Sequence, residues 1–371
     1  MLRRVGELCI EDVELDVPEP HEVVVRTAAA GVCHSDLHIL TGDMQVPLPI
    51  VLGHESSGIV ERVGEDVRYV TPGDRVITCL SSFCGMCEFC LDGRPHLCLR
   101  QGMVRSAGAP PRLSQAGEIV HQLGLSSFAE RMLVHENALV KIDPRLPLEH
   151  AALVGCGVLT GLGAVFRTAA VRPGDTVVVL GCGGVGLSCV QASAIVGAAR
   201  TIAVDTTPWK LDLARQFGAT DVVDASVDDP VEAVLELTSG GVGHVFEAVG
   251  SPATFAQAVR MTRRGGTTTM IGLMSAGQEY RLPPGSLSLE RRIQGCSMGS
   301  NRFRTDIPYY VDLSLSGRLD LGAMVSARVP LDGVNDAFEA MRRGQVARTV
   351  VVFDDVIAEA AQSASGATID S

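Results

Sequence analysis

The sequence predicts an α/β protein in which a doubly wound parallel sheet is combined with a β-rich second domain. Three observations lead to this prediction. The first 100 residues contain short β-branched runs separated by turn residues, a pattern typical of antiparallel or barrel-like β structure. From about Thr176, apolar strands alternate with helical segments, which indicates a parallel sheet with helices on both faces. Beyond residue 277 the alternation fades, and mixed helical and strand patterns return.

The β-rich part is built from short strands that follow one another closely. Short runs of the β-branched residues valine and isoleucine occur in HEVVVRTA, GIVERVG and GDRVITC, with turn residues between these segments. Residues 101–125 are mixed in polarity and contain a Pro-Pro pair, so we expect a long surface loop there. Late in the chain, YYVDLSLSGRLDL and the amphipathic VNDAFEAMRRG indicate a return to α+β structure.

The parallel-sheet region begins with the buried strand TVVVLG. The uncharged stretch 176–199 has the length of a membrane span, but a glycine-rich turn interrupts it. A strand, a turn and a helix that pass through the core therefore explain it better, and we expect no membrane contact. The units that follow are, in order, TIAVD, WKLDLARQFGA, DVVDA, VEAVLELTSG and HVFEAVG.

Composition and charge narrow the class of protein further. The chain has 371 residues, of which 46% are hydrophobic and 20% charged, as in ordinary globular proteins. A net charge of −12 argues against nucleic acid or an anionic membrane as the main partner. The first residues contain no apolar signal-peptide stretch, so we expect a cytoplasmic protein. Its eleven cysteines are then metal ligands or reactive groups rather than disulfides.

A glycine motif, G-C-G-G-V-G, follows the strand TVVVL and opens a helix. Gly181 would allow the tight turn, Gly183 would let the backbone approach a pyrophosphate, and Gly186 would permit close helix–strand packing. Asp205, nineteen residues beyond Gly186, ends the next strand and would accept hydrogen bonds from ribose hydroxyls. Its charge would repel a 2′-phosphate, which favours NAD over NADP. The alternative is a glycine-rich turn that binds nothing.

A cluster of four cysteines has the spacing C-x2-C-x2-C-x7-C, at Cys84, Cys87, Cys90 and Cys98. Four thiolates within fifteen residues are suited to a closed, tetrahedral structural zinc site. An iron–sulfur cluster is the rival interpretation, because bacterial ferredoxins also begin with C-x2-C-x2-C. Their fourth cysteine follows after three residues and precedes a proline, whereas here the gap is seven and Leu99 follows, which favours zinc.

A third, diffuse set consists of Cys33, His54 and Cys156. Spacing alone leaves two interpretations open for these residues. They are either metal ligands, or small buried thiols and a core histidine.

Together these motifs resemble the zinc-dependent medium-chain alcohol dehydrogenase family, over almost the whole chain from about residue 5 to Phe353. The segment GHESSGIVERVG matches the family's zinc signature G-H-E-x2-G-x5-G. The resemblance implies a Rossmann sheet domain plus a discontinuous, β-rich, GroES-like catalytic domain. The implied boundaries are a first catalytic part at 1–157 with a structural-zinc lobe at 80–100, a NAD-binding Rossmann domain at 158–296, and a second catalytic part at 297–355. The composition of the end of the chain, with hardly any large apolar residue, predicts a disordered tail at 356–371.

The resemblance also implies which residues act. A catalytic zinc would be bound by Cys33, His54 and Cys156, with Asp36 and Glu55 supporting these ligands. Together with the four-cysteine site this makes two zinc ions per chain.

Ser35 would contact the substrate oxygen, and His38 would end a proton relay. Leu80 and Phe128 match residues that line the substrate pocket, and His34 lies where many members have an arginine on the cofactor phosphates. The residues that match cofactor-contacting positions or form the glycine motif are His34, Thr160, Gly181, Gly183, Gly184, Val185, Gly186, Asp205, Lys210 and Arg348.

The implied reaction is reversible hydride transfer from a zinc-bound primary alcohol to NAD, giving an aldehyde. The alternative substrate is an S-(hydroxymethyl)thiol, the adduct of formaldehyde with glutathione or mycothiol, for which Arg112, Arg131 and Arg302 are candidates for a basic patch. A non-catalytic relative would usually lack the zinc ligands, and the net charge disfavours a metal-binding regulator of DNA. The long segment 101–125 accompanies dimeric members of the family, so we expect a homodimer, with a homotetramer as the alternative.

Overall fold

The computed structural model describes residues 1–100, 103–106 and 108–366. The chain forms two compact units. The first unit contains residues 1–156 and the chain from Arg302 onward, and the second unit runs from Gly157 to Asn301.

Strands and helices alternate along the chain with the following bounds. The strands are β1 (Glu14–Leu15), β2 (Glu22–Gly31), β3 (Ile50–Val51), β4 (Ser56–Val63), β5 (Arg75–Thr78), β6 (Leu113–Gln115), β7 (Glu118–Ile119), β8 (His121–Gln122), β9 (Arg131–His135), β10 (Leu139–Lys141), β11 (Thr176–Leu180), β12 (Arg200–Asp205), β13 (Asp221–Asp224), β14 (Val242–Glu247), β15 (Thr262–Met270), β16 (Arg292–Gly295), β17 (Val325–Val329) and β18 (Arg348–Val352). The α-helices are α1 (His34–Leu40), α2 (Glu88–Leu91), α3 (Leu148–Ala152), α4 (Gly157–Gly163), α5 (Gly184–Val196), α6 (Pro208–Gln216), α7 (Pro230–Thr238), α8 (Pro252–Met261), α9 (Phe303–Leu315), α10 (Val334–Arg342) and α11 (Asp354–Gly366).

The first unit is organised around β2, the central strand of a mainly antiparallel sheet. The strand order is β10-β5-β4-β2-β18-β17, and β9 also pairs with β2. Neighbouring strands cover β2, and Val23, Val24 and Val25 are fully buried. A strand buried in this way is expected to be a nearly continuous apolar run, as β2 is. The antiparallel β structure that the sequence predicts for this part is therefore confirmed.

The second unit contains a six-stranded parallel sheet with the order β13-β12-β11-β14-β15-β16. Numbered within the unit, this is 3-2-1-4-5-6, the order of a doubly wound Rossmann sheet. The order reverses between β11 and β14, whose carboxyl ends at Leu180 and Glu247 lie in register. Ligands of such sheets bind at this switch point.

The predicted strand, turn and helix at 176–199 are present as β11 and α5. No single helix in the described part of the chain has the length and apolar character of a membrane span. Two consecutive segments, Leu148–Gly155 and Gly157–Thr168, qualify only when taken together across a sharp bend.

The expected surface loop at 101–125 is wrong in part. Within its described residues, β6 and β7 form a hairpin around Ala116–Gly117, two residues with φ of 49° and 84°. Positive φ at both central positions is typical of a two-residue hairpin turn. Leu113 and Val120 are buried. Strands of two or three residues are too short to reveal a period of two, which is why the sequence pattern did not show them.

The expected disordered tail at 356–371 is also wrong as far as Gly366, where α11 ends. Val356 and Ala360 are buried, and Glu359 Oε2 accepts a hydrogen bond from Arg26 at 2.7 Å. The apolar side chains of Val356 and Ala360, on one face of the helix, are therefore enough to pack it against the first unit. Residues 367–371 lie outside the described residues.

The second unit extends to Asn301, whereas the resemblance placed its end at 296. The extra residues pack against α4. Gly299 has a φ of 70°, and a Cβ at Gly163 would lie 2.3 Å from its carbonyl oxygen. Only glycines permit the backbones at Gly163 and Gly299 to come this close. This contact keeps residues 297–301 with the second unit.

The segment 103–113 is joined to the β-rich sheet by a buried ion-pair cluster. The carboxylate of Glu22 accepts hydrogen bonds from Arg105 and Arg112, each at 2.6 Å. Burial opposes the charged form, but Arg105, the Glu19 backbone N–H and Arg112 hold the pKa of Glu22 at about 2.

The Glu22→Gln substitution is expected to destabilise the protein by about 3 kcal/mol near neutral pH, because two guanidinium groups lose their buried counter-charge. The folded pKa of Glu22 lies below its unfolded value of about 4.3. Its stabilising contribution is therefore complete above pH of about 5 and is lost as the pH falls toward 2. Urea unfolding of both proteins across this range should show the gap closing with acid, and a gap that does not change with pH would contradict the assignment.

Candidate functional site

The first unit brings Cys33, His54 and Cys156 together, although 102 residues separate the last two. Their ligand atoms all lie within 4.8 Å of one another, and Cys156 Sγ lies 3.3 Å from His54 Nε2. All three residues are buried. Cys33 precedes α1, His54 lies between β3 and β4, and Cys156 follows the turn after α3.

The imidazole of His54 is oriented by a buried carboxylate. Asp36 Oδ2 lies 3.0 Å from His54 Nδ1, and Asp36 Oδ1 accepts a hydrogen bond from Gly53 N at 3.0 Å. Burial lowers the pKa of His54, but Asp36 and Cys33 raise it well above its ordinary value. The carboxylate fixes the ring so that Nε2 faces the thiols, the arrangement that supports metal-binding histidines.

An arginine and a glutamate complete the surroundings of the two thiols. Arg348, the first residue of β18, is buried and forms an ion pair with Glu55. A hydrogen bond with Cys156, followed by the charges of His54 and Arg348, lowers the pKa of Cys33 although burial opposes it. Two thiols and an imidazole with converging donors match a zinc site that has three protein ligands.

Ser35 and His38 both lie on α1, close to this cluster in sequence. Cys33 Sγ lies 3.8 Å from Ser35 Oγ. His38 Nδ1 lies 3.3 Å from Asp43 Oδ2, which also accepts a hydrogen bond from Thr41 Oγ1 at 2.9 Å. No direct hydrogen bond joins Ser35 to His38 among the described residues. The sequence analysis did not identify Asp43. A carboxylate in a turn five residues after a histidine forms no recognisable sequence motif. His34 is exposed at the start of the same helix.

The four cysteines of the C-x2-C-x2-C-x7-C motif also converge, in one lobe of the first unit. Their Sγ atoms lie within 4.8 Å of one another, with 3.5 Å between Cys87 and Cys90 and 3.9 Å between Cys87 and Cys98. Backbone N–H groups of Leu99 and Cys90 lower the pKa of Cys87 to about 6. Four converging sulfurs, including Cys84, fit a closed tetrahedral site of the structural type.

In the second unit, three of the four glycines of the motif differ in what the surrounding structure demands of them. Gly181 ends β11 with a φ of 90°. A Cβ at Gly186 would lie 1.7 Å from the Gly181 carbonyl oxygen, so only glycine fits there. A Cβ at Gly183 would meet nothing within 4 Å, and its φ of −79° is open to any residue. Internal packing therefore does not require a glycine at Gly183, which lies just before the N-terminus of α5.

The carboxylate of Asp205 lies against this motif. Its Oδ2 accepts a hydrogen bond from Cys182 N at 2.7 Å and its Oδ1 from Thr207 N at 3.0 Å. Lys210 follows on α6, with its Nζ 5.7 Å from the ring centre of Trp209. A carboxylate and an ammonium group thus lie beyond the end of β12, next to the glycine motif.

The other residues that the resemblance assigned to the cofactor also lie in the second unit, apart from His34 and Arg348. Gly184 and Val185 form the first turn of α5. Thr160 is buried on α4, and its Oγ1 lies 3.8 Å from Met298 Sδ. Arg348 belongs to the first unit, where Glu55 is its partner.

Two further expectations concern the first unit. Phe128 is buried and Leu80 is half-buried against the β-rich core. The three arginines considered as a basic patch are each held by a different partner. Arg112 pairs with Glu22, Arg131 with Glu61 at 2.7 Å, and Arg302 donates to the Gly93 carbonyl at 2.7 Å.

Comparison with known proteins agrees with both units. Residues 19–144 match the family profile described as alcohol dehydrogenase GroES-like domain, and residues 184–315 match the profile described as zinc-binding dehydrogenase. A curated relative from Escherichia coli O157:H7, S-(hydroxymethyl)glutathione dehydrogenase, is 40% identical over 353 residues, which is 92% of this chain and 96% of the relative.

Two solved structures are similar over nearly the whole chain. An alcohol dehydrogenase zinc-binding domain protein from Burkholderia ambifaria is 35% identical with a TM-score of 0.89, covering 95% of this chain and 97% of that one. Benzyl alcohol dehydrogenase from Acinetobacter calcoaceticus is 34% identical with a TM-score of 0.86, covering 92% and 94%.

A matched pair of substitutions in the glycine motif separates packing from ligand approach. Gly186→Ala is expected to lower the free energy of unfolding by at least about 2 kcal/mol, because its methyl group overlaps the Gly181 carbonyl. Gly183→Ala should leave stability within about 0.5 kcal/mol of the natural protein and should weaken dinucleotide binding. Denaturant unfolding and a dinucleotide titration measure the two effects, and equal losses of stability would contradict the division of roles.

Proposed function

Because the chain belongs to the zinc-dependent medium-chain alcohol dehydrogenase family, we propose that it oxidises a primary alcohol to an aldehyde by reversible hydride transfer to NAD. The observation that carries the proposal is the buried set of Cys33, His54 and Cys156, with Asp36 behind the imidazole. The chain is an oxidoreductase of the alcohol dehydrogenase type. The roles of these residues in the reaction are the subject of the proposal.

Each chain binds two zinc ions in this proposal. The three-residue set holds the catalytic ion, and the four-cysteine lobe holds the structural one. When bound at the catalytic set, zinc acts as a Lewis acid that lowers the pKa of the substrate hydroxyl and polarises the product carbonyl.

The chain's own residues supply the rest of the chemistry. Asp36 keeps His54 in the tautomer whose Nε2 carries a lone pair toward the metal. The charge of Arg348, paired with Glu55, offsets the negative charge that two thiolates place in a buried space.

The alcohol proton leaves through α1. The hydroxyl of Ser35, next to Cys33, accepts it at Oγ. Asp43 holds the Nδ1 side of His38, which leaves Nε2 as the atom that exchanges the proton with solvent. No direct hydrogen bond joins the two side chains in the described residues, so a bound dinucleotide would have to supply the polar group that links them.

NAD is the proposed cofactor. The N-terminus of α5 would receive the pyrophosphate, and Asp205 would bind the adenosine ribose while its charge would repel the 2′-phosphate of NADP. The proposed contacts are His34, Thr160, Gly181, Gly183, Gly184, Val185, Gly186, Asp205, Lys210 and Arg348.

A second candidate substrate is an S-(hydroxymethyl)thiol, because relatives about 40% identical carry the name S-(hydroxymethyl)glutathione dehydrogenase. A thiol such as glutathione carries carboxylates that need basic partners at the pocket. Arg112 and Arg131 are already ion-paired within the protein, which favours a free alcohol as the substrate.

We propose a homodimer in the cytoplasm, with a homotetramer as the alternative assembly. The strand β16 lies at the edge of the parallel sheet. Leu282, Leu287 and Leu289, which precede it in the chain, are exposed. The cysteines of both clusters are free thiols, and a reducing compartment keeps them competent to bind metal.

Metal analysis of purified variants tests the two-zinc assignment. The natural protein is expected to contain two zinc ions per chain, and Cys33→Ser and Cys90→Ser should each contain one, since each loses one ligand of a different site. Cys33→Ser should lose activity by at least a hundredfold, and Cys90→Ser should mainly lose stability. Cys9→Ser, an exposed cysteine outside both clusters, is the matched control and should keep two ions. One ion or none in the natural protein would contradict the assignment.

The activity itself is tested by nicotinamide absorbance with zinc-replete protein and a panel of substrates. The panel contains short-chain, long-chain and aromatic alcohols, together with formaldehyde plus glutathione or mycothiol, each with NAD and NADP. We expect turnover of free primary alcohols, at least tenfold more efficient with NAD. Turnover only with the formaldehyde–thiol mixtures would replace the substrate by the second candidate, and no turnover of either kind would refute the proposed reaction.

A further inference from the structure

A buried glutamate that belongs to neither metal cluster lies at the carboxyl end of β14, in register with Leu180, the residue before the glycine motif. Glu247 is 0% exposed. Its Oε1 accepts three hydrogen bonds, from Val249 N at 2.9 Å, Gly250 N at 2.8 Å and Thr254 Oγ1 at 2.8 Å. Its Oε2 is buried without a hydrogen-bond partner among the described residues. Burial of a carboxylate costs free energy, so three donors gathered on one oxygen indicate a specific task for this side chain.

The backbone of Glu247 joins the same region to the neighbouring strands. Its carbonyl oxygen accepts hydrogen bonds from Ile271 N and Gly272 N, both at 2.9 Å, in the turn that follows β15. The next residue, Ala248, donates its N–H to the carbonyl of Leu180, the last residue of β11, at 2.9 Å. Glu247 and Ala248 together thus connect the ends of three adjacent parallel strands, β11, β14 and β15.

The turn at 248–250 touches the glycine motif directly. A Cβ at Gly181 would lie 2.6 Å from Val249 Cγ2, so the Val249 side chain occupies the space beside that glycine. On its other side, a Cβ at Gly250 would lie 2.2 Å from the Leu273 carbonyl oxygen. The turn 248–250 is therefore packed between the turn at Gly181 and the turn at Leu273. Packed groups of this kind transmit small displacements rather than absorb them.

We propose that Glu247 is a positioning residue for dinucleotide binding. Its carboxylate holds the turn 248–250, and Val249 in turn holds the backbone at Gly181 in the geometry that receives the pyrophosphate. The inference rests on the proposed function in one respect: the dinucleotide binds at the carboxyl edge of this sheet. Glu247 itself touches no ligand, because it has no exposed surface.

Three variants of the full-length, zinc-replete protein test this role. Glu247→Asp keeps the charge but withdraws the carboxylate by about one bond length of 1.5 Å, which breaks the three hydrogen bonds. Glu247→Gln keeps an acceptor oxygen where Oε1 lies, and is the conservative variant. Val242→Ala is the matched control, because Val242 is equally buried but lies at the opposite end of β14. The probe is NADH, titrated by fluorescence without any substrate.

Glu247→Asp is expected to raise the Kd for NADH and the KM for NAD at least tenfold, with kcat at saturating NAD within threefold of the natural protein. Glu247→Gln should restore the Kd to within threefold. Val242→Ala should lower the melting temperature and leave the Kd unchanged. In the absence of dinucleotide, hydrogen exchange of the Val249 and Gly250 amides should be faster in Glu247→Asp alone.

A Kd for Glu247→Asp within twofold of the natural protein would overturn the role of Glu247, as would an equal rise in Val242→Ala. If Glu247→Asp does not fold, Thr254→Val removes one of the three donors and leaves the carboxylate in place. A threefold weaker Kd would then support the role, and an unchanged Kd would overturn it. Failure of the natural protein to bind NADH is a separate result, which would refute the proposed cofactor.

Discussion

The convergence of two thiols and one imidazole in a buried space is the constraint on which the first unit depends. The three groups come from segments far apart in the chain, and a closely packed glycine precedes both Cys33 and Cys156. A Cβ at Gly31 would lie 2.4 Å from Glu55 Oε1, and one at Gly155 would lie 2.4 Å from the Thr78 carbonyl oxygen. The central strand β2, held by neighbours on all sides, fixes the place where Cys33 leaves the sheet.

Charge balance follows from the same constraint. Thiolates in a buried space require compensating positive charge, and the fold supplies it from the two sides. Arg348, at the start of β18, lies near the sulfurs and is itself balanced by Glu55. Asp36 stands behind His54 and also binds the Gly53 N–H, so that the residue before the histidine is fixed by the same carboxylate. In the second unit, backbone turns at the edge of the parallel sheet pack closely together, and the buried carboxyl group of Glu247 accepts hydrogen bonds from one of these turns.

The features that the sequence could predict are those encoded within a short stretch of chain. The glycine motif follows its strand directly, so the separate roles of Gly181 and Gly186 could be predicted and are found in the backbone. The four-cysteine lobe is similarly local. Cys33, His54 and Cys156 are not, and their spacing alone favoured ordinary core residues over a metal site until the resemblance and the structure brought them together.

The errors have the same physical origin. The hairpin β6–β7 and the helix α11 are stabilised by tertiary contacts, such as the Arg26–Glu359 ion pair, rather than by strong patterns of their own. Asp43 and Glu247 act through hydrogen bonds that no sequence pattern marks. Anomalous X-ray scattering from crystals, measured on both sides of the zinc absorption edge, tests the central claim most directly. The account predicts one zinc peak within bonding distance, about 2.0–2.4 Å, of Cys33 Sγ, His54 Nε2 and Cys156 Sγ. A zinc-replete crystal with no peak among these three atoms would contradict it.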